Sequence, residues 1–233
     1  MKPLPLIISS PSGAGKTTLT TRLRARVPNL RFSVSHTTRA PRKGEVDGRE
    51  YHFIGREDFR ERVAHGEFLE WAEVFGNLYG TSRAEFDLAA GHRGIIFDID
   101  HQGARQIRSA EPNVTSVFVI PPNMAVLLQR LKGRASEDDA TVWKRYAEAR
   151  REIEHYGMFD YVLVNDDLET ATDQLVSIFL AEECRSFRNA PIAEGLLSNS
   201  LGPASQPPAS HPPASHPPAS TPSPALAKDD NPS

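Results

Sequence analysis

The sequence is poor in cysteine, in lysine and in long apolar runs. Its single cysteine, Cys184, excludes an internal disulfide framework and a cysteine-rich metal site. No stretch approaches the roughly 18 consecutive apolar residues that mark a membrane-spanning helix, so we expect no membrane partner. The formal net charge of −3 argues against a nucleic-acid partner held by bulk positive charge. A reducing, cytoplasmic setting fits these absences best.

Arginine and proline are in excess. Of the 27 basic residues, 21 are arginine, whose guanidinium group matches the oxygens of a phosphate. Ten of the 19 prolines lie in residues 203–233, where a Pro-Pro-Ala-Ser motif recurs every five residues. That segment has no aromatic side chain and cannot bury enough apolar surface to offset its chain entropy. We expect a disordered Pro/Ala/Ser-rich tail over 191–233, either a solvated extension or a docking site for a proline-binding module.

The rest of the chain alternates between short apolar runs and helical patterns. Four runs predict buried strands, at 4–9, 94–98, 115–120 and 161–164. Apolar strands separated by helices are typical of an α/β fold with a mostly parallel sheet flanked by helices. Residues 33–91 differ, with short β-like pieces and a helix near 57–64. We therefore expect a core over 1–32 and 92–190, with 33–91 inserted at the carboxyl edge of the sheet.

A phosphate-binding loop follows the first predicted strand. The segment Ser-Pro-Ser-Gly-Ala-Gly-Lys-Thr-Thr at 10–18 is a P-loop pattern, although serine replaces its usual first glycine. Glycines let backbone N–H groups turn onto phosphate oxygens, and the following helix N-terminus adds partial positive charge. Lys16 would reach the β- and γ-phosphates, and the Thr17 hydroxyl would face Mg²⁺ directly or through water. The predicted ATP-binding residues of this loop are Ser10, Pro11, Ser12, Gly13, Ala14, Gly15, Lys16, Thr17 and Thr18.

Two acidic residues end the strand predicted at 94–98. Asp98 and Asp100 stand where a carboxylate acts on a metal ion or its waters, and the alternative is that one of them caps the next helix. A P-loop together with an acidic strand end predicts an enzyme that uses a nucleoside triphosphate. It does not identify the acceptor.

The inserted region narrows the choice of acceptor. Arg39 and Arg42 flank Pro41 and are spaced to direct two guanidinium groups at one phosphate, to which Tyr51 and Tyr79 add phenolic donors.

A base-reading site is predicted in the same region. Glu70 follows Phe68 and Leu69, a half-apolar setting for a carboxylate that reads guanine through its two adjacent donors, N1–H and the 2-amino group. Hydroxyls from Ser35 and Thr81 would then donate to guanine O6.

With these motifs in view, the chain resembles a bacterial-type guanylate kinase. The matching segments follow the family's order and spacing at 10–17, 33–42, 44–51, 68–72, 76–81, 98–103 and 164–167. The resemblance implies a P-loop kinase core, a mixed α/β GMP-binding insertion over 33–91 and a short lid near 133–142. It implies Mg²⁺-dependent transfer of the γ-phosphoryl group of ATP to GMP, and to dGMP, in purine nucleotide metabolism.

The resemblance also implies roles for individual residues. The guanine-reading positions are matched by Ser35, Glu70 and Thr81. The positions that hold the GMP phosphate are matched by Arg39, Arg42, Tyr51 and Tyr79. The acidic pair near GMP and the metal is matched by Asp98 and Asp100. Asn165 matches a position that lines the adenine pocket. The catalytic set, which includes the arginines that clamp the transferring phosphoryl group, is matched by Lys16, Arg39, Arg134 and Arg145.

Two other functions share parts of this pattern. A relative that phosphorylates ribose 1,5-bisphosphate would share the P-loop core but would not need the base-reading set at 35, 70 and 81. A non-catalytic guanylate-kinase-like interaction module typically loses P-loop residues, whereas Lys16 and Thr17 are present here. The sequence does not indicate an oligomeric state.

Overall fold

The computed structural model describes residues 2–74, 76–133 and 138–199. Its strands are β1 (Leu4–Ser9), β2 (Leu30–Phe32), β3 (His36–Thr37), β4 (His52–Phe53), β5 (Phe68–Val74), β6 (Asn77–Ser82), β7 (Gly94–Asp98), β8 (Thr115–Ile120) and β9 (Tyr161–Val164). Its helices are α1 (Lys16–Arg26), α2 (Arg56–Ala64), α3 (Ala84–Leu88), α4 (His101–Ala110), α5 (Met124–Lys132), α6 (Asp139–Ile153), α7 (Leu168–Glu183) and α8 (Ser186–Asn199).

Five strands form a wholly parallel sheet in the order β2-β7-β1-β8-β9. All six residues of β1 are buried, as expected for a strand covered on both faces. Alternate side chains enter different clusters, Leu6 and Ile8 on one face and Ile7 on the other. The four apolar runs in the sequence therefore predicted β1, β7, β8 and β9 correctly, but not the short edge strand β2. The expected α/β fold with a parallel sheet flanked by helices is confirmed.

Helices bury both faces of this sheet. On one face, Leu23 of α1 and Phe179 of α7 join the cluster around Leu6. On the other face, Ile107 of α4 packs with Phe97. Each fully buried large apolar side chain contributes about 1.5–3 kcal/mol relative to exposure, so these two clusters fix the sheet on which the loop after β1 is built.

The region between β2 and β7 forms a separate four-stranded sheet in the order β4-β3-β6-β5. Strands β5 and β6 are antiparallel and pair from Val74 to Phe68, with a bulge between Phe68 and Glu70. Helix α2 closes this sheet by packing Phe59 against Phe68 and Leu78. The short β pieces and the helix expected between residues 33 and 91 are therefore present.

Helix α8 corrects the predicted start of the tail. The tail was expected from residue 191, but α8 continues through Pro191 to Asn199. Residues 193–197 are mostly Ala, Glu and Leu, which favour helix strongly enough to extend it past the proline. The chain divides into two units, 1–191 and 192–233, and residues 200–233 lie outside the described ranges. Among the described helices, none is long and apolar enough to cross a membrane.

Candidate active site

The loop after β1 has the backbone of a phosphate cradle. Gly13 and Gly15 have φ angles of 90° and 98°, a region that side chains rarely adopt, and Lys16 opens α1 directly after them. Asn165 also forbids a side chain at position 15, because a Cβ there would collide with its Nδ2. These two glycine conformations, directly before the start of a helix, are the backbone features that a phosphate-binding loop requires.

Asn165 holds this loop from the end of β9. Its Nδ2 donates to the Ala14 carbonyl over 2.7 Å, and its own backbone N–H donates to the Ile120 carbonyl over 2.8 Å. Arg130 Nη2 donates to the Asn165 carbonyl over 3.0 Å. The side chain is 5% exposed, so this residue braces the loop, a role that the sequence analysis did not assign. Its contact with adenine stays a prediction.

The two acids at the end of β7 and just beyond it, Asp98 and Asp100, make different contacts. Asp98 forms an ion pair through its Oδ1 with Lys16 Nζ, since β7 runs parallel beside β1 and pairs Asp98 with Ile8. Asp100 Oδ1 accepts hydrogen bonds from the N–H groups of Gln102 at 3.0 Å and Gly103 at 2.9 Å. Asp100 is therefore the N-cap of α4, the alternative considered from the sequence. A role for it toward GMP stays a prediction.

Glu152 is a site residue that the sequence analysis missed. Its Oε2 accepts a 3.3 Å hydrogen bond from the Ser12 N–H, in the P-loop. Burial raises the pKa of this carboxyl, while that hydrogen bond and Lys16 lower it. Glu152 lies seven residues after Arg145, two turns along the same face of α6. Its hydrogen bond to Ser12 shows that α6 reaches the loop at its carboxyl end.

The three residues predicted to read guanine form one hydrogen-bonded series. Thr81 Oγ1 donates to Glu70 Oε1 over 2.6 Å, and Ser35 Oγ lies 3.2 Å from Thr81 Oγ1. Glu70 and Thr81 face each other across β5 and β6, which explains how residues eleven apart meet. Burial raises the pKa of Glu70 to about 7, the negative charge of Asp100 adds to this, and the Thr81 hydrogen bond opposes it.

The residues predicted to hold the GMP phosphate lie beside β3 and β6. The Arg39 guanidinium stands over the Tyr51 ring at 5.4 Å, and Tyr51 meets Tyr79 edge-on at 5.9 Å. Arg39 Nη2 also donates to Glu45 Oε1 over 2.8 Å, which raises the pKa of Arg39 and lowers that of Glu45. The Arg42 side chain is exposed, and its backbone N–H donates to Glu45 Oε2 over 2.7 Å. Glu45 is a second residue that the sequence analysis missed.

Of the two arginines predicted to contact the transferring phosphoryl group, only Arg145 is among the described residues. Arg145 lies on α6 and is half-buried. Arg134 lies outside the described residues, as do residues 135–137 of the predicted lid, whereas residues 139–142 of that lid form the start of α6. Thr17 and Thr18 are exposed in the first turn of α1.

Asp98 links the P-loop to the residues predicted to hold the GMP phosphate. Burial raises the pKa of Tyr51, and the negative charge of Asp98 raises it further.

A P-loop follows the central strand of the parallel sheet, and a second sheet carries a buried carboxylate, Glu70, with Arg39 in the loop after β3. This arrangement is that of a P-loop nucleotide kinase. Comparison with known proteins agrees. The family model described as guanylate kinase matches residues 2–182. A guanylate kinase from Symbiobacterium thermophilum is 48% identical over 198 residues, covering 84% of this chain and 94% of the relative. One from Neisseria gonorrhoeae is 47% identical over 195 residues, covering 83% and 95%.

A solved structure supports the same conclusion. The crystal structure of guanylate kinase from Anaplasma phagocytophilum is 35% identical with a TM-score of 0.68, and the match covers 84% of this chain and 94% of that one. The chain belongs to the guanylate kinase family, and it transfers a phosphoryl group from ATP to GMP, giving ADP and GDP.

Proposed function

We propose that this chain selects GMP through the Glu70 carboxylate. The observation that carries the proposal is the hydrogen-bonded series of Ser35, Thr81 and Glu70, in which a buried carboxylate stands next to two hydroxyls. Guanine offers the N1–H and 2-amino donors to one carboxylate, and its O6 accepts from a hydroxyl. Adenine has no donor at N1, so the buried Glu70 would keep only the Thr81 hydroxyl as a donor and would be poorly paired.

The GMP phosphate is proposed to bind Arg39, Tyr51 and Tyr79, with Arg42 at the exposed side. Because Arg39 is paired with Glu45 in the free protein, the entering phosphate would replace the Glu45 carboxylate on the same guanidinium. The attacking oxygen belongs to this phosphate and is already anionic, so the reaction needs no general base. The protein supplies alignment and charge stabilisation instead.

Cations around the donor loop would offset the repulsion between the two nucleotides. Lys16 stands at the start of α1 beside Asp98, where it would contact the β- and γ-phosphates of ATP. Arg145, and Arg134 beyond the described residues, are proposed to contact the transferring group. Closure of the insertion over 33–91 and of the lid near 133–142 would exclude water and limit hydrolysis of ATP.

Magnesium is proposed to accompany ATP in this site. This hard cation prefers oxygen ligands. Near the loop these are the exposed Thr17 hydroxyl and the carboxylates of Asp98 and Asp100. Within the described ranges, no group of three or more His, Cys, Asp and Glu side chains is arranged to hold a metal. That fits Mg²⁺, which usually takes one or two protein ligands together with substrate phosphates and waters. When bound, it would neutralise charge on the phosphate oxygens.

A coupled assay of ADP release with different acceptors tests the proposed substrate choice. We expect turnover with GMP and dGMP, at least 10²-fold lower kcat/KM with AMP, and none with ribose 1,5-bisphosphate. Use of dGMP is expected because the contacts proposed above are to the guanine base and the phosphate, not to the ribose. Absence of GMP-dependent ADP release from folded protein would contradict the proposal, and release with ribose 1,5-bisphosphate would favour the alternative kinase.

The Pro-rich tail is proposed to be a solvated extension of a cytoplasmic enzyme rather than part of its catalytic machinery. The site residues described above all precede residue 166, and the repeat begins beyond residue 200. Ending the chain after Asn199 should therefore leave kcat and KM for both substrates within about twofold of the full chain, because none of the residues proposed for the site is removed. The same coupled assay measures this, and a clear loss of activity would show that the tail contributes.

A further inference from the structure

Strand β5, which carries Glu70, is an edge strand whose outer side is covered by a helix of the core. Among the described strands, the order β4-β3-β6-β5 leaves one edge of β5 without a neighbour. At that edge the Trp71 N–H donates to Gln106 Oε1 over 3.2 Å, and Gln106 Nε2 donates to the Trp71 carbonyl over 2.8 Å. The side-chain amide of Gln106 thus replaces one residue of a neighbouring strand.

The same helix also confines the Glu70 side chain. Gly103, one turn before Gln106 on α4, lies so close that a Cβ there would be 2.6 Å from Glu70 Oε2. The other oxygen, Oε1, accepts from Thr81 on β6. The carboxylate is therefore held between β6 and α4, and its orientation depends on the distance between β5 and that helix.

The residues on either side of Glu70 are both attached to α4. Leu69 belongs to the buried cluster that contains Ala104 and Ile107 of this helix. Trp71 is attached through its backbone to Gln106. The two attachments differ in kind, because Leu69 is 6% exposed and held by apolar packing, whereas the Trp71 side chain is 41% exposed and its backbone is held by two hydrogen bonds.

We propose that Gln106 is a positioning residue for guanine recognition. It holds β5 against α4, so that both Glu70 oxygens meet the donors of guanine. This inference rests on the proposed role of Glu70. Without the amide, water can bond to the exposed edge at Trp71, so β5 gains freedom while Leu69 keeps it folded onto the core. A carboxylate displaced by a few tenths of an ångström keeps one hydrogen bond to guanine more easily than two, because the second bond requires correct alignment.

Comparing GMP with inosine monophosphate (IMP) isolates the second hydrogen bond to Glu70, because the base of IMP has N1–H but no 2-amino group. The experiment compares kcat/KM for GMP and for inosine monophosphate in the full chain, in Gln106→Leu and in Gln106→Glu. We expect Gln106→Leu to lower the GMP/IMP ratio on the order of 10-fold, mainly through KM for GMP, with kcat at saturating GMP nearly retained. Gln106→Glu keeps the acceptor for Trp71 N–H and should lie between wild type and Gln106→Leu.

Two further variants make the outcome specific. Gln174→Leu, the same change at an exposed position of α7, is the matched control and should keep the wild-type ratio. Glu70→Gln tests whether Glu70 reads guanine, and this variant should also have a lowered ratio of kcat/KM for GMP to kcat/KM for IMP. Should Gln106→Leu not fold, Gln106→Glu carries the test alone.

The results separate two kinds of failure. A wild-type GMP/IMP ratio in folded Gln106 variants, with a lowered ratio in Glu70→Gln, would overturn the role of Gln106 and leave the guanine site intact. A wild-type ratio in Glu70→Gln would overturn the guanine site itself. An equal loss for both nucleotides through kcat alone would show that Gln106 supports only the fold.

Discussion

Replacing Glu70 with glutamine is expected to lower kcat/KM for GMP on the order of 10²-fold or more while the protein stays folded. The carboxylate accepts two donors from guanine, whereas one end of the glutamine amide is itself a donor and would face one of them. The side chain keeps its size, so the packing against Gly103 is preserved. Steady-state kinetics with GMP and a thermal unfolding curve check the two parts of this expectation.

Glu73→Gln is the matched control, because Glu73 lies on the same strand and is exposed. It should change kcat/KM for GMP by less than about twofold. Wild-type kinetics for GMP in folded Glu70→Gln would show that guanine is read elsewhere.

The pKa of Glu70 adds a pH dependence to this expectation. A carboxyl with a pKa of about 7 in the free protein is largely protonated below that pH, and a protonated oxygen accepts one guanine donor fewer. KM for GMP should therefore rise as the pH falls below about 7, and this part of the profile should be absent in Glu70→Gln. The GMP phosphate titrates in both proteins, so their difference isolates the carboxyl.

The raised pKa of Glu70 also makes folding stability depend on pH, and here deprotonation of the carboxyl is unfavourable. Between the ordinary value of 4.5 and about 7, the folded protein holds a proton at Glu70 that the unfolded chain has released. The contribution of this group to stability is therefore lost as the pH rises through that range. Above pH 7, Glu70→Gln should unfold at a higher temperature than the wild type, a gain in stability that accompanies the loss of activity.

Replacing Lys16 with methionine is expected to lower kcat about 10²–10³-fold, because it removes a positive charge from the phosphates where negative charge develops during transfer. Lys16→Arg keeps the charge in a larger and differently shaped group and should recover only part of the rate. The coupled assay at saturating ATP and GMP measures both variants.

The stability of Lys16→Met should change little. The ion pair between Lys16 and Asp98 is partly exposed, and such pairs contribute at most about 1 kcal/mol to the free energy of unfolding. Lys2→Met, at an exposed position before β1, is the control and should keep wild-type activity. A Lys16→Met protein that retains wild-type kcat would exclude this lysine from the transfer step.

The sequence predicted those features that depend on residues near each other in the chain. The apolar runs predicted β1, β7, β8 and β9, and the glycine pattern predicted the loop that precedes α1. Glu70 was predicted to lie in a half-apolar setting, and it is more buried than that because β5 is covered by α4 as well as by β6.

The supporting roles of Gln106, Glu152 and Asn165 were not predicted, although Asn165 was named for the adenine pocket, because their partners are distant in sequence. Gln106 meets Trp71 across 35 residues, Glu152 meets Ser12 across 140, and Asn165 meets Ala14 across 151. A glutamine or glutamate in a helix carries no local sign of such a contact. Glu45 is close to Arg39 in sequence, but a surface acid six residues from an arginine is too common to predict an ion pair.

The central place of β1 has a consequence for how the molecule opens. This strand is hydrogen-bonded on both edges, to β7 and to β8, whereas β3 and β4 contribute two residues each to the smaller sheet. We therefore expect amide hydrogens of β1 to exchange with solvent only when most of the parallel sheet comes apart, and those of β3 and β4 to exchange after smaller, local openings. With the binding sites proposed above, ATP would meet a scaffold that opens only near the full cost of unfolding, and GMP one that can loosen and close again.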